Sequence, residues 1–198
     1  MKVLMCAVLA AGVMLAFGGI AYANINPNAN PLVVPDGGGN FRWTYVLATD
    51  TAEVINTPLT NAAFFTLYDV PGLVAGSSSF TVIPGTLAAV TTEPLLGVTP
   101  AGVAPADNPA IPNISVAFTG TASISTVLGS LSFLDTFGTE STTPNDQFAA
   151  QATNALNNSR AFNSSFVVGP VPEPGSLVLL SSGMLGMVGM GLRRFRKR

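Results

Sequence analysis

Short apolar runs of alternating pattern, repeatedly broken by glycine, proline and asparagine, dominate the interior of this chain. That punctuation leaves little room for long helices, because Gly and Pro are the strongest local breakers and Pro removes a backbone donor. In Phe41–Ala48 the side chains of Phe41, Trp43, Tyr45 and Leu47 share one face, opposite Arg42, Thr44 and Val46. Period-two alternation of this kind marks a half-buried strand. AAFFTLYD (62–69) stops at Val70-Pro71-Gly72, and SFTVIPG sets Phe80 and Val82 on one face before another Pro-Gly. NISVAFTG aligns Ile114, Val116 and Phe118. TASISTVLGSLSF reads as two strands joined near Gly129, and SSFVVG closes the region. Short strands at this spacing predict an all-β fold, a single antiparallel β-sandwich-like domain over 41–170. DQFAAQATNALNN is the one stretch with helical character. A parallel β-helix is the alternative architecture, but no fixed internal period supports it.

Four segments read as connections, one of them the polar, solvated TESTTPND, Thr139–Asp146. The Asn/Pro-rich residues 24–40 are expected to form a flexible leader, with Asp36-Gly37-Gly38-Gly39-Asn40 as a Gly-rich turn entering the first strand. Thr99–Pro112 holds four prolines among small residues and reads as a long surface connection. Gly169–Pro174 reads as an accessible stalk.

Both ends concern export. Lys2 is the only charge before the apolar stretch Val3–Ile20, which leads into Ala21-Tyr22-Ala23. A basic n-region, an apolar h-region and an A-x-A site define a signal peptide over 1–23, helical in the precursor, with Ala21 and Ala23 at the cleavage site. The Sec translocon is then a partner. Cys6 leaves with that peptide, so the mature chain has no cysteine. At the other end Pro172-Glu173-Pro174 precedes an uncharged apolar run, Leu177–Leu192, and a basic close of Arg193, Arg194, Arg196, Lys197 and Arg198. As a helix the run spans about 24 Å, and snorkelling arginines help it fit a ~30 Å hydrocarbon core. The basic cluster is expected to stay cytoplasmic, with everything before it outside.

A Pro-Glu-Pro, a Gly-rich apolar segment and an arginine-rich terminus, in that order, resemble the PEP-CTERM sorting domain of Gram-negative bacteria. The resemblance covers residues 171–198. It implies a membrane-embedded exosortase as partner, with Pro172, Glu173 and Pro174 as recognition residues and the helix at 177–192 as a temporary anchor. It also implies an inner-membrane-anchored precursor that ends at the cell surface or outside the cell. The exported part loosely resembles one group of such proteins through Trp43 and Tyr45, FFTLYDVPGL, DNPAIPNISVAFTG and LGSLSF, a likeness that implies no activity.

Charge and missing residue types narrow the function. The whole chain carries −2, but between residues 24 and 170 two basic residues, Arg42 and Arg160, face nine acidic ones, a formal charge of −7. A nucleic-acid binder needs a basic footprint, which this segment lacks. Histidine is absent throughout, which excludes Ser-His-Asp and His-ligated zinc chemistry. No lysine lies between Lys2 and Lys197, so neither a P-loop nor a Schiff base can be built there. No catalytic residues and no cofactor are assigned.

Asp36 and Asn40 around the triple glycine, and Asp107 before Asn108-Pro109, are weak oxygen-ligand candidates for calcium. They lack EF-hand spacing, and a Gly-rich turn and an Asx-type turn are the preferred readings. Trp43 and Tyr45 could stack on sugar, although on an alternating strand they serve better as core. The expected role is a structural or adhesive component of an extracellular, exopolysaccharide-associated matrix. A carbohydrate- or calcium-binding module is the alternative. A carboxylate-dependent glycoside hydrolase, needing two acids about 5–9.5 Å apart, comes last.

Overall fold

Ten residues from Asn40 to Thr49 form the strand around which the first sheet is arranged. The computed structural model describes residues 25–56, 62–83, 85 and 87–171, and chain order within them gives eleven strands. They are β1 (Ile25–Pro27), β2 (Leu32–Gly37), β3 (Asn40–Thr49), β4 (Glu53–Asn56), β5 (Ala63–Leu67), β6 (Ser79–Val82), β7 (Leu87–Thr92), β8 (Ile114–Ala122), β9 (Val127–Asp135), β10 (Asp146–Asn154) and β11 (Arg160–Val167). Every pairing between them is antiparallel, so the parallel β-helix is ruled out. The described residues contain no helix.

In the first sheet β3 pairs along its length with β9, and β6 borders β9. The other edge of β3 is shared in tandem: β1 pairs with residues 47–49 and β2 with residues 40–44. In the second sheet β4 and β5 likewise share the middle position between β8 and β10, with β7 outside β8 and β11 outside β10.

The alternation read in residues 41–48 places the core. Trp43, Tyr45 and Leu47 are buried and Val46 is exposed. With Leu131 and Phe133 of β9 they meet Phe65 and Leu67 of β5, Val116 and Phe118 of β8 and Phe148 of β10 in one cluster. Phe80 and Phe118 join the sheets edge to face, with ring centroids 5.2 Å apart. Each large side chain removed from water contributes about 1.5–3 kcal/mol, and such contacts hold the sheets together.

Several expectations are corrected. The leader expected at 24–40 contributes β1 and β2, because β3 would otherwise leave its backbone unpaired on that side; Pro27 and Pro35 are tolerated there on edge strands. The stretch with helical character is β10 followed by a turn at 155–157. Flanked by β11 and β5, it gains two ladders of hydrogen bonds, which override the helix preference of Ala and Gln. The break near Gly129 lies instead at Ser123–Thr126, between β8 and β9. Gly129 is inside β9 beside a register shift at Leu47/Ala48, where a Cβ would lie 2.1 Å from the Thr81 carbonyl. It marks a bulge and a close approach rather than a turn. The expected signal helix at 1–23 and transmembrane helix at 177–192 lie outside the described residues. Among the described residues no helix is long and apolar enough to cross a membrane.

Candidate functional site at the C-terminal exit

The chain leaves β11 at Val167 but stays fastened to the domain through Val171. Asn145 N donates to the Val167 carbonyl at 3.1 Å, and the Tyr45 hydroxyl donates to Val168 O at 2.8 Å. Ser141 N donates to Gly169 O at 3.1 Å, and Val171 N to Thr139 O at 3.0 Å. Glu140 and Pro170 therefore face each other in an antiparallel bridge. The two bonds flank that pair, which makes it a non-hydrogen-bonded one. Pro170 sits where its missing N–H is not required. The stalk expected from Gly169 is thus part of the domain as far as Val171, and Gly169 and Pro170 are buried. Residues 172–174 of the expected recognition motif lie outside the described residues, as do Ala21, Ala23, Arg193, Arg194, Arg196, Lys197 and Arg198.

Acidic side chains gather around this exit. Asp146, at the head of β10, faces the core in register with Phe148, and a Cβ on Gly169 would fall 1.9 Å from its Oδ2. Burial, then Asp135 and Asp69, push the Asp146 carboxyl up to about 7. Asp135, at the end of β9, is fully buried and likewise raised by burial, although its Oδ1 accepts from Phe137 N at 2.7 Å. The Oδ2 atoms of Asp135 and Asp146 have no hydrogen-bond partner. At β4 Glu53 is also fully buried with both carboxyl oxygens unpartnered, and burial followed by Asp50 raises it to about 7. Desolvation disfavours each charged form, so these acids are protonated more readily than exposed ones. They escaped the sequence reading. The available signal was an acid extending a period-two apolar register by one step, as Asp146 does before Phe148 and Ala150.

The weak ligand candidates are placed separately. Asp36 binds Arg42 through two 3.0 Å hydrogen bonds across the β2–β3 hairpin, and Asn40 opens β3 after the Gly38-Gly39 turn. Asp107 instead accepts from Gly97 N at 3.0 Å and Asn113 Nδ2 at 3.1 Å. Asn108 Oδ1 accepts from Ala110 N, the Asx-type turn expected before Pro109. Together with Asp69, whose Oδ1 accepts from Asn108 N, these residues pin the proline-rich connection onto the second sheet. Among the described residues no group of three or more His, Cys, Asp or Glu is disposed to hold a metal ion.

Trp43 and Tyr45 are core, 0% and 1% exposed, and offer no stacking surface. A groove of about 590 Å³ runs along β11 instead, lined by Gly102, Val103, Ala104, Phe162, Asn163, Ser164 and Ser165. The Arg160 guanidinium lies 5.2 Å from the Phe162 ring centroid and donates to Ala101 O, which fixes one wall.

Comparison with known families finds the PEP-CTERM protein-sorting motif at residues 170–197. The chain thus carries at its C-terminus the signal of an exosortase substrate, which implies a secreted precursor whose membrane anchor that membrane enzyme cleaves. The match begins at Pro170, inside the fastened segment. No curated protein and no solved structure is similar to the chain.

Proposed function

We propose that the exported domain of this exosortase-sorted precursor is a structural or adhesive component of the extracellular matrix and has no enzymatic activity of its own. The observation that carries the reading is the sorting motif joined directly to a β-sheet domain whose Trp43 and Tyr45 are spent on the core. The acids support it as well. Asp135 and Asp146 are buried at the exit, Asp107 holds a loop, and none lines the groove along β11. A paired-carboxylate glycosidase needs two acids free to flank a glycosidic bond, and these three are buried or engaged instead.

A second reading, a carbohydrate-binding surface module, is favoured by the groove itself. Its Phe162 ring beside the Asn163 amide and the Ser164 and Ser165 hydroxyls suits a neutral sugar. The calcium alternative has less support, since Asp36 is engaged by Arg42 and Asp107 by Asn113.

The C-terminal mass of the protein from its native host, with and without exosortase, tests the sorting step. Loss of the tail near Pro172–Gly175 only when the enzyme is present is expected; an intact Arg198 in both strains contradicts it. Fractionation of the processed form tests the role. Retention in the matrix supports it, and full recovery in the soluble medium removes it.

A further inference from the structure

The sorting signal begins where the domain ends. Val171 is hydrogen-bonded to Thr139, Pro172 follows it, and the apolar run starts at Leu177. Six residue steps reach at most about 22 Å at ~3.3–3.6 Å each, so with the apolar run in the bilayer the folded domain is held close against it. A membrane enzyme acting at Pro172–Pro174 must work inside that gap. The residues on the N-terminal side of the motif, Gly169 to Val171, are meanwhile committed to Thr139 and Ser141 through their backbones.

We propose that the ladder between residues 139–141 and 169–171 is a latch that must open before the exosortase can take the sorting signal. Opening adds three residues, roughly 10 Å of extended chain, and frees the backbone groups that an enzyme binding an extended substrate needs. The latch is small enough to open without unfolding the domain. It consists of two backbone hydrogen bonds, the bond from Gly169 N to Ser141 Oγ at 3.4 Å and the Glu140–Pro170 pair, beyond the end of β11. Its fit is nonetheless specific, because Gly169 lies on the Asp146 carboxylate with no room for a side chain. The proposal rests on the sorting reading and adds a regulated step to it.

Two variants of the full precursor push the latch in opposite directions. Non-hydrogen-bonded antiparallel pairs bring Cα atoms to about 4.5 Å, within disulfide reach. With no other cysteine outside the signal peptide, the one disulfide E140C/P170C can form within a chain in an oxidising periplasm is the intended bond, and the monomer is the form followed. In a host with exosortase the oxidised double variant is expected to keep its C-terminal tail by mass, while E140C and P170C alone, and the double variant under reducing conditions, lose it at least as fast as the wild type does. G169A forces the strand off Asp146 and is expected to lose the tail at least twofold faster than wild type. Tail loss by the oxidised double variant at the rate of the single variants, or an unchanged rate in G169A, overturns the latch and leaves sorting intact. A tail retained in the wild type overturns sorting and the latch together.

Discussion

The Tyr45 hydroxyl donates to the Val168 carbonyl at 2.8 Å, tying the central strand of the first sheet to a residue 123 positions later. The ring is buried between Trp43 and Phe133, with centroids 6.4 and 6.0 Å away, so the hydroxyl reaches the exit from a rigid base. Burial, then Asp146, Asp135 and Glu140, hold the phenol well above its ordinary value, so it stays a donor at any ordinary pH.

Tyr45→Phe keeps the packing and deletes that bond. It should cost about 1 kcal/mol, or roughly 3 °C in Tm for a domain of this size. Faster hydrogen exchange at Gly169 and Val171 than in β10 would show that the loss falls on the exit segment; uniform acceleration across both sheets would not.

The two carboxyls raised to about 7 set a pH dependence. Each folded-state value lies above the unfolded one, so the folded protein binds more protons, and stability falls as pH rises. The contribution is fully present below ~4 and is lost progressively up to about pH 7. Asp146 faces Asp135, Asp69 and Tyr45, none of them a cation, and Glu53 faces Asp50. Urea unfolding between pH 4.5 and 8 should therefore give a declining ΔG, flattened by Asp146→Asn and by Glu53→Gln. A ΔG that rises over this range is incompatible with buried, unpaired acids.

Gly129→Ala should be among the most damaging single-methyl additions. Its Cβ would meet the Thr81 carbonyl at 2.1 Å and the Phe80 ring at 2.8 Å, on a backbone at φ +153°. Strain of about 1–3 kcal/mol and loosening of β6 are expected. Gly85→Ala, whose Cβ would find nothing closer than 4.0 Å, is the control. Equal Tm values for the two would contradict the close approach at Gly129.

Asn113, fully buried, accepts from Asp69 N at 2.8 Å and donates to Leu95 O and Asp107 Oδ1, both at 3.1 Å. Asn113→Ala strands those partners, at about 1–3 kcal/mol for each left buried and unpaired. The connection over residues 94–112 should then become a protease target, with nicking near the exposed Leu95 and Leu96. Resistance equal to wild type would mean that the loop is held elsewhere.

Sequence alone determined the strands β3 and β8 and which face of each is apolar. Phe41–Leu47 and Ile114–Phe118 carry their partition between core and solvent in period two, a local property of a pleated backbone. The sorting signal was equally legible, since an ordered run of Pro-Glu-Pro, apolar and basic residues needs no fold to be recognised. Tertiary structure decided the rest. β1 and β2 exist because β3 had an edge to fill, and β10 is a strand because β5 and β11 supply ladders that no local preference encodes. The raised titration of Asp146 and Glu53 follows from burial, which depends on what packs against them. The fastening of Val168–Val171 to Tyr45 and Thr139–Ser141 joins residues about 30 to 120 positions apart in sequence. Such contacts depend on chain closure around a core, and neither composition nor spacing records them.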